Sequence, residues 1–189
     1  MARGTSRPGG AIRALDLSNL EDYLVQCAAS DAESGRGGDS YSGPYSSDEP
    51  YPVALVRERN RERWVRPLDE PSWRRAWGAF VGNRMVGSAS LIGGDLAADL
   101  HRVDLGMGVL RDYRRQGFGQ LLLATIIDWC RARPTIDWID LGVFADNEPA
   151  KALYVKLGFE VVGSTRDRWR VDGTRIDEIH MVLPVGSLG

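Results

Sequence analysis

The residues Arg114-Arg115-Gln116-Gly117-Phe118-Gly119 stand between a segment that reads as a strand and one that reads as a helix. Backbone N–H groups in such a turn belong to the donors that a helix leaves unpaired at its start, and together they form an anion site. Two glycines let a bulky phosphate approach the main chain, and the partial positive charge of the helix start favours a dianion by ~0.3 to 2 kcal/mol. Phosphate binding is the chemistry this hexamer offers. The plainer alternative is that Gly117 and Gly119 only relieve crowding where a helix leaves a strand. Other nucleotide motifs fit less well. A dinucleotide fingerprint needs a third glycine, where this chain has Leu122, and a turn directly at the strand end, where Arg111 to Gln116 intervene. The string GxxxxGK[ST] of a P-loop does not occur.

Periodicity shows which elements must position this turn. Ile12 to Leu15 reads as a short strand, and Asp16 or Ser18 can cap a helix from Asn19 to Ala29 with Leu20, Tyr23, Leu24 and Cys27 on one face. From Ser30 to Pro52 the chain is Ser, Gly, Asp, Pro and Tyr without a period, a loop long enough to be functional or disordered. A charged helix follows over Val53 to Val65. Arg75 to Val81 and Arg84 to Ile92 flank Gly82-Asn83 as a two-residue hairpin. His101 to Leu110 alternates Val103, Leu105, Met107 and Val109 against Gly106 and Gly108, a strand that bulges or is approached closely. Gly117 to Ala132 is a helix with a broad buried face, stopped by Pro134. Ile136 to Val143 is a strand and Pro149 to Leu157 a short helix closed by Gly158. Two long strands, Glu160 to Arg170 and Arg175 to Leu183, turn at Val171 to Thr174. The fold class is therefore mixed α/β, of the α+β kind.

Composition narrows the function classes. The chain has 189 residues, 43% of them apolar and 26% charged, which suits one domain over residues 11–185 after a flexible start at residues 1–10. A net charge of -2 without blocks of like charge gives no footprint for a nucleic-acid partner. Cys27 and Cys130 are isolated, as are His101 and His180, so neither a disulfide framework nor a metal-ligand spacing is present and no metal is expected. No signal segment and no apolar run of membrane-spanning length occurs, so no membrane partner and a cytoplasmic location are expected.

The stretch Val109 to Leu123 (VLRDYRRQGFGQLLL) resembles the acetyl-CoA motif of the GNAT N-acetyltransferase superfamily: Arg or Gln, two residues, Gly, any residue, then Gly or Ala. Asn147, Ala150, Leu153-Tyr154 and Gly158-Phe159 resemble the second motif of that superfamily, at the usual separation. The resemblance implies a GNAT-like acyl-CoA N-acyltransferase fold, with a mostly antiparallel twisted sheet of six to seven strands, flanking helices and a splayed parallel strand pair. It implies that the pantetheine arm lies between the strand ending at Leu110 and the one ending near Val143, bonded by backbone groups of Met107, Val109 and Leu110. The amides of Arg115, Gln116, Gly117, Phe118, Gly119 and Gln120 would hold the pyrophosphate. Arg114 and Arg115 would add charge, Asn147 would reach the arm, and Tyr154 the sulfur.

Acetyl transfer to an amine needs a neutral amine, a stabilised oxyanion and a proton for the departing thiolate. Tyr154, with a reference pKa of ~10 against ~8.5 for a thiol, suits the last task; the alternative is that it only completes the apolar face of its helix. For the base, Asp104 comes first, on the same face as Gly106 and Gly108, against the alternative of a solvated residue paired with Arg102. Asp140, His101 or an ordered water are further candidates, and His180 reads as structural. The acceptor is expected to be a primary amine of a small molecule or peptide, for which the carboxylates of the Ser30 to Pro52 loop offer a cationic attraction. The alternative there is a solvated, flexible loop. A homodimer is compatible with the sequence, and Trp64 and Trp73 can mark an interface or a core. The competing class is a CoA-binding regulatory module without turnover, and the competing enzyme is the same scaffold with another acyl donor or acceptor.

Overall fold

The computed structural model describes residues 9–186; the flexible start expected at residues 1–10 lies, as far as Pro8, outside them. The chain runs β1 (Ala11–Ala14), α1 (Leu20–Glu33), α2 (Val53–Val65), β2 (Arg74–Val81), β3 (Arg84–Gly93), β4 (Arg102–Val109), α3 (Phe118–Arg131), β5 (Trp138–Phe144), α4 (Glu148–Lys156), β6 (Glu160–Val171) and β7 (Thr174–Pro184). The seven strands form one sheet in the order β1-β2-β3-β4-β5-β7-β6. Among its neighbours only β4 and β5 run parallel. The mixed, mostly antiparallel sheet with one parallel pair is the architecture expected from the sequence.

Both faces of the central strands are covered, which is why β2 and β3 read as nearly continuous apolar runs. On one face α3 buries Leu122, Leu123, Ile126, Ile127 and Cys130 in a cluster with Trp77, Val86, Leu91, Val103 and Ile139. Each such aliphatic side chain contributes about 1.5–3 kcal/mol on full burial. On the other face Leu20, Tyr23 and Leu24 of α1 join Val56 and Trp64 of α2 over Ala76, Phe80 and Met85. Trp64 and Trp73 are 7% and 1% exposed, so both are core residues and neither marks an interface.

Two turns fix the hairpin registers. Val81 pairs with Arg84 across Gly82-Asn83, with Gly82 at φ +57°. Val171 pairs with Thr174 across Asp172-Gly173, whose φ angles of +49° and +74° are those of a type I′ turn.

The first helix is longer than its periodicity predicts. It continues through Ser30 to Glu33, because the Glu33 carboxylate accepts from the Arg111 N–H (2.7 Å) and from Arg114 (2.9 Å), contacts 78 and 81 residues away in the chain. The segment after it, residues 34–52, is pinned at both ends of its course. Ser34 Oγ accepts from the N–H groups of Ser42 and Gly43, and Ser40 Oγ donates to the Asp146 carbonyl. Farther on, the Ser47 N–H donates to Asp172 at the β6–β7 turn (2.7 Å).

Candidate active site

The parallel ladder between β4 and β5 is short. Arg102, Val103 and Asp104 pair with Trp138, Ile139 and Asp140, and there the pairing stops. Beyond that point β4 stays bonded to β3 as far as Val109, and β5 stays bonded to β7 as far as Phe144. The two strands therefore part towards their carboxyl ends and leave a V-shaped opening. The Leu110 N–H donates to the Val86 carbonyl (2.9 Å), so strand alternation turns the backbone groups of Gly108 and Gly106 to β3 and those of Met107 and Val109 to the opening. Leu110 itself is spent inside the protein, since its carbonyl accepts from the Tyr113 N–H, and the Val109 carbonyl accepts from Arg114 Nε (2.8 Å). The Met107 backbone and the Val109 N–H remain on the open side.

At the end of β4 the chain makes the turn that starts α3. Arg115 has φ +59° and Gly117 φ +92°, the latter being the N-cap of the helix, with no side chain capping it. The N–H groups of Phe118, Gly119 and Gln120 precede the first intrahelical bond, from the Leu121 N–H to the Gly117 carbonyl, and find no acceptor among the described residues. These donors and the dipole behind them offer a place for an anion. Gly119 is closely packed: a Cβ there would lie 3.1 Å from Leu153 of α4 and 3.3 Å from the Met107 methyl, so both side chains would have to give slightly. The Phe118 side chain is core, Gln116 Nε2 donates to the Asp112 carbonyl, and Gln120 Oε1 accepts from Lys156. Unpaired amides at a helix start, next to an unpaired strand edge, fit an extended ligand that ends in a diphosphate.

Of the two arginines expected to add charge near a phosphate, Arg114 is engaged by carboxylates, while Arg115 enters no ion pair among the described residues. Arg114 bonds both Glu33 (2.9 Å) and Asp39 (2.5 Å), and Arg111 bonds Asp39 (2.8 Å). Two carboxylates of the acidic region are thereby neutralised by cations from the far side of the chain. Asn147 caps α4, its Oδ1 accepting from the Ala150 N–H (3.2 Å), which leaves its Nδ2 for a ligand.

Tyr154 is 8% exposed and belongs to the same apolar cluster as Leu105 and Val143, the residues of β4 and β5 just beyond the parting point. Its ring meets Phe159 edge-on at 5.6 Å. Burial pushes its hydroxyl up to about 12, so it stays protonated throughout the neutral range.

Asp104 and Asp140 form the last rung of the ladder. Arg102, stacked on the Trp138 ring at 5.0 Å, bonds both oxygens of Asp140. Arg102 therefore holds Asp140, not Asp104, which is exposed to an open cleft of about 460 Å³ that Gly142, Glu178 and His180 also line. Desolvation raises the Asp104 pKa, and the nearby charge of Asp140 adds to it. His101 lies at the other, paired end of the strands, where its carbonyl accepts from Asp137 and Trp138. His180, read from the sequence as structural, lines the cleft, with its Nε2 2.8 Å from Thr165 Oγ1. A larger groove of about 730 Å³ runs along α2 and is lined by none of these residues.

Sequence reasoning weighed Arg102 as a partner of Asp104 rather than of Asp140, and it missed Glu178 and a polar group of Tyr23, Asn60, Arg74 and Ser90 under α1 and α2. Each is placed by pairing across strands or helices far apart in the chain, and no local spacing marks them.

Comparison with known proteins agrees with this geometry. The sequence profile of the acetyltransferase (GNAT) family matches residues 39–159. The L-amino acid N-acetyltransferase AaaT of Escherichia coli (strain K12) is 32% identical over 81 residues, 43% of this chain and 50% of that protein. The [ribosomal protein bS18]-alanine N-acetyltransferase of the same strain is 39% identical over 75 residues, 39% of this chain and 49% of that one. The chain thus matches about half the length of these curated relatives. Among solved structures, the ribosomal-protein-S18-alanine N-acetyltransferase from Escherichia coli superposes with a TM-score of 0.68 at 23% identity, covering 95% of this chain and 96% of that chain. A GNAT superfamily phosphinothricin acetyltransferase from Sinorhizobium meliloti, in complex with AcCoA, gives 0.75 at 16% identity over 94% and 89%. At these identities the likeness is one of fold.

Proposed function

The chain belongs to the GNAT acetyltransferase family, and from that premise we propose that residues 11–185 form one catalytic unit, a cytoplasmic enzyme that moves an acetyl group from acetyl-CoA directly to a primary amine. The observation that carries this reading is the run of unpaired amides at Phe118 to Gln120, placed where β4 and β5 part.

In this reading the amides of Arg115 to Gln120 hold the diphosphate, and the Met107 backbone and Val109 N–H bond the pantetheine arm, with Asn147 Nδ2 beside it. The bound cosubstrate supplies a thioester whose acyl carbon the amine attacks. Tyr154, kept protonated by burial, donates its proton to the departing thiolate. Asp104, which forms no ion pair among the described residues, accepts a proton from the incoming ammonium, directly or through a water. An amine with a pKa of ~10.4 is only about 10⁻³ to 10⁻⁴ neutral at pH 7, a deficit of roughly 4 to 5 kcal/mol that a base at this position offsets.

The curated relatives are named for acetylating L-amino acids and a ribosomal-protein alanine, so small molecules and peptide ends both remain in the acceptor class at this stage. The test is release of CoA from acetyl-CoA with a panel of amines, in the wild type and in Tyr154→Phe. Turnover that falls with the loss of the hydroxyl supports the reading. Cosubstrate binding without turnover on any amine assigns the chain to a regulatory module, and turnover only with a different thioester assigns it another donor.

A further inference from the structure

Between α1, α2 and the sheet lies a polar cluster that acetyl transfer as described does not use. Arg74, at the start of β2, donates to Asn60 Oδ1 (3.0 Å), the Tyr23 hydroxyl (2.9 Å) and Ser90 Oγ (2.9 Å). All three partners are neutral, and Arg74 enters no ion pair among the described residues. Four buried N–H donors in this region also lack an acceptor: Arg74 Nε, Asn60 Nδ2, Gln26 Nε2 and Trp64 Nε1. Asn60 is 0% and Gln26 2% exposed. A part-buried guanidinium whose partners are all neutral is costly, and each orphaned donor adds to that cost. Such a cluster lacks negatively charged acceptor atoms.

Its position says where they come from. Arg74 aligns with Ile92 of β3, and Ile92 aligns with Asp104 of β4. Arg74 and Asp104 thus lie in one row on one face of the sheet, roughly 10 Å apart at the backbone, twice the inter-strand spacing. Ser90, which Arg74 bonds, aligns with Gly106. The space over Gly106 is open: a Cβ there would meet nothing nearer than Ser90 Oγ at 3.8 Å. The open patch over Gly106 is thus bordered by Ser90, which Arg74 bonds, and lies two residues along β4 from Asp104 on the same face, an order of cation and carboxylate complementary to a small molecule carrying a carboxylate at one end and an ammonium at the other. The acidic region before α2 offers less to a polycation, because Glu33 and Asp39 are held by Arg111 and Arg114.

We propose that Arg74, held in place by Tyr23, Asn60 and Ser90, binds a carboxylate of the acetyl acceptor, so that the acceptor is a free amino acid or a close analogue rather than the amino end of a peptide. The planar guanidinium suits a carboxylate bidentately. This inference rests on the acetyl-transfer reading above.

The test compares matched acceptors across the proteinogenic amino acids: the free acid, its carboxamide, and a dipeptide beginning with the same residue, each at saturating acetyl-CoA. For the preferred side chain the free acid is expected to exceed both neutral-ended forms in kcat/KM by about 100-fold, because the site's donors are otherwise left unpaired. In Arg74→Met that ratio is expected to collapse, through KM, while acetyl-CoA binding by calorimetry stays unchanged. Should that variant fail to fold, the wild-type ratio still decides. Carboxamides or dipeptides acetylated as well as the free acids overturn the inference and leave acetyl transfer standing. No acetylation of any member of any pair overturns both.

Discussion

Asp104 and Asp140 face each other across the last rung of the β4–β5 ladder, and only Asp140 carries an arginine. The pairing sets apart two carboxylates that each lie in a strand beside apolar neighbours, of which the sequence reading puts Asp104 first as base. Asp140 is held on both oxygens by Arg102, whereas Asp104 is left to the cleft with its pKa raised by desolvation and by Asp140. Asp104→Asn is expected to lower kcat/KM by about 10²–10³-fold with acetyl-CoA affinity unchanged. Asp140→Asn removes a like charge and releases Arg102, so the acidic limb of the pH–rate profile is expected to move to lower pH. A profile that does not move removes Asp104 from the role of base.

The same shift has a consequence for stability. A carboxyl whose pKa is higher in the folded than in the unfolded chain loses native stability as pH rises from the unfolded value through the folded one. At neutral pH, Asp104→Asn is therefore expected to raise the melting temperature while it lowers activity. Thermal melts at pH 7 and at pH 3, where the difference is expected to vanish, check the sign.

Tyr154→Phe removes a hydroxyl for which no hydrogen-bond partner contributes to the raised pKa. Its melting temperature is expected to stay close to that of the wild type, and its kcat to fall by about 10²-fold if the hydroxyl serves as acid. With a pKa pushed up to about 12, the tyrosine contributes no alkaline limb below pH 10. A limb near pH 9 that disappears in Tyr154→Phe contradicts this assignment.

Much of the site was legible because its signals are local. The turn from Arg114 to Gly119 announces itself through glycine spacing, the hairpins through Gly82-Asn83 and the Val171 to Thr174 turn, and α3 through an unbroken apolar face. What was not legible depends on partners far along the chain. Ser30 to Glu33 looks like loop until Arg111 and Arg114 arrive to hold Glu33. Arg102 chooses Asp140 across 38 residues. Trp64 follows a run of charged residues and Trp73 lies between Ser72 and Arg74, yet both are buried once α2 and the β2 edge are packed. The Arg74 cluster draws on α1, α2, β2 and β3, so no window of sequence contains it.

Gly117 has φ +92°, a conformation that an L side chain adopts at a cost of about 1 kcal/mol or more. Gly117→Ala is expected to lower stability by that amount and to weaken acetyl-CoA binding about tenfold, because the amides it orients are turned away. Calorimetric titration beside a thermal melt separates the two effects; a destabilised variant with wild-type affinity contradicts the role of this turn.

Asp39 is subject to desolvation, which pushes its pKa up, but the guanidinium bonds from Arg111 and Arg114 prevail and hold it below the ordinary carboxylate value. The stability it contributes is present above the unfolded pKa of ~3.9 and is lost as pH falls through the lower folded value. Asp39→Asn is expected to cost no more than about 1 kcal/mol at pH 7, since these pairs are partly solvated, and to match the wild type below pH 3. Urea unfolding at both pH values measures the difference.

Acetyl transfer at this site requires the unpaired amides opening α3 to grip the diphosphate of the acetyl donor. A crystal structure of the protein with CoA tests this most directly. Diphosphate oxygens are expected within hydrogen-bond distance of the N–H groups of Phe118 to Gln120, and the pantetheine arm along Met107 and Val109. A diphosphate seated elsewhere on the protein, with those amides still unpaired, contradicts it.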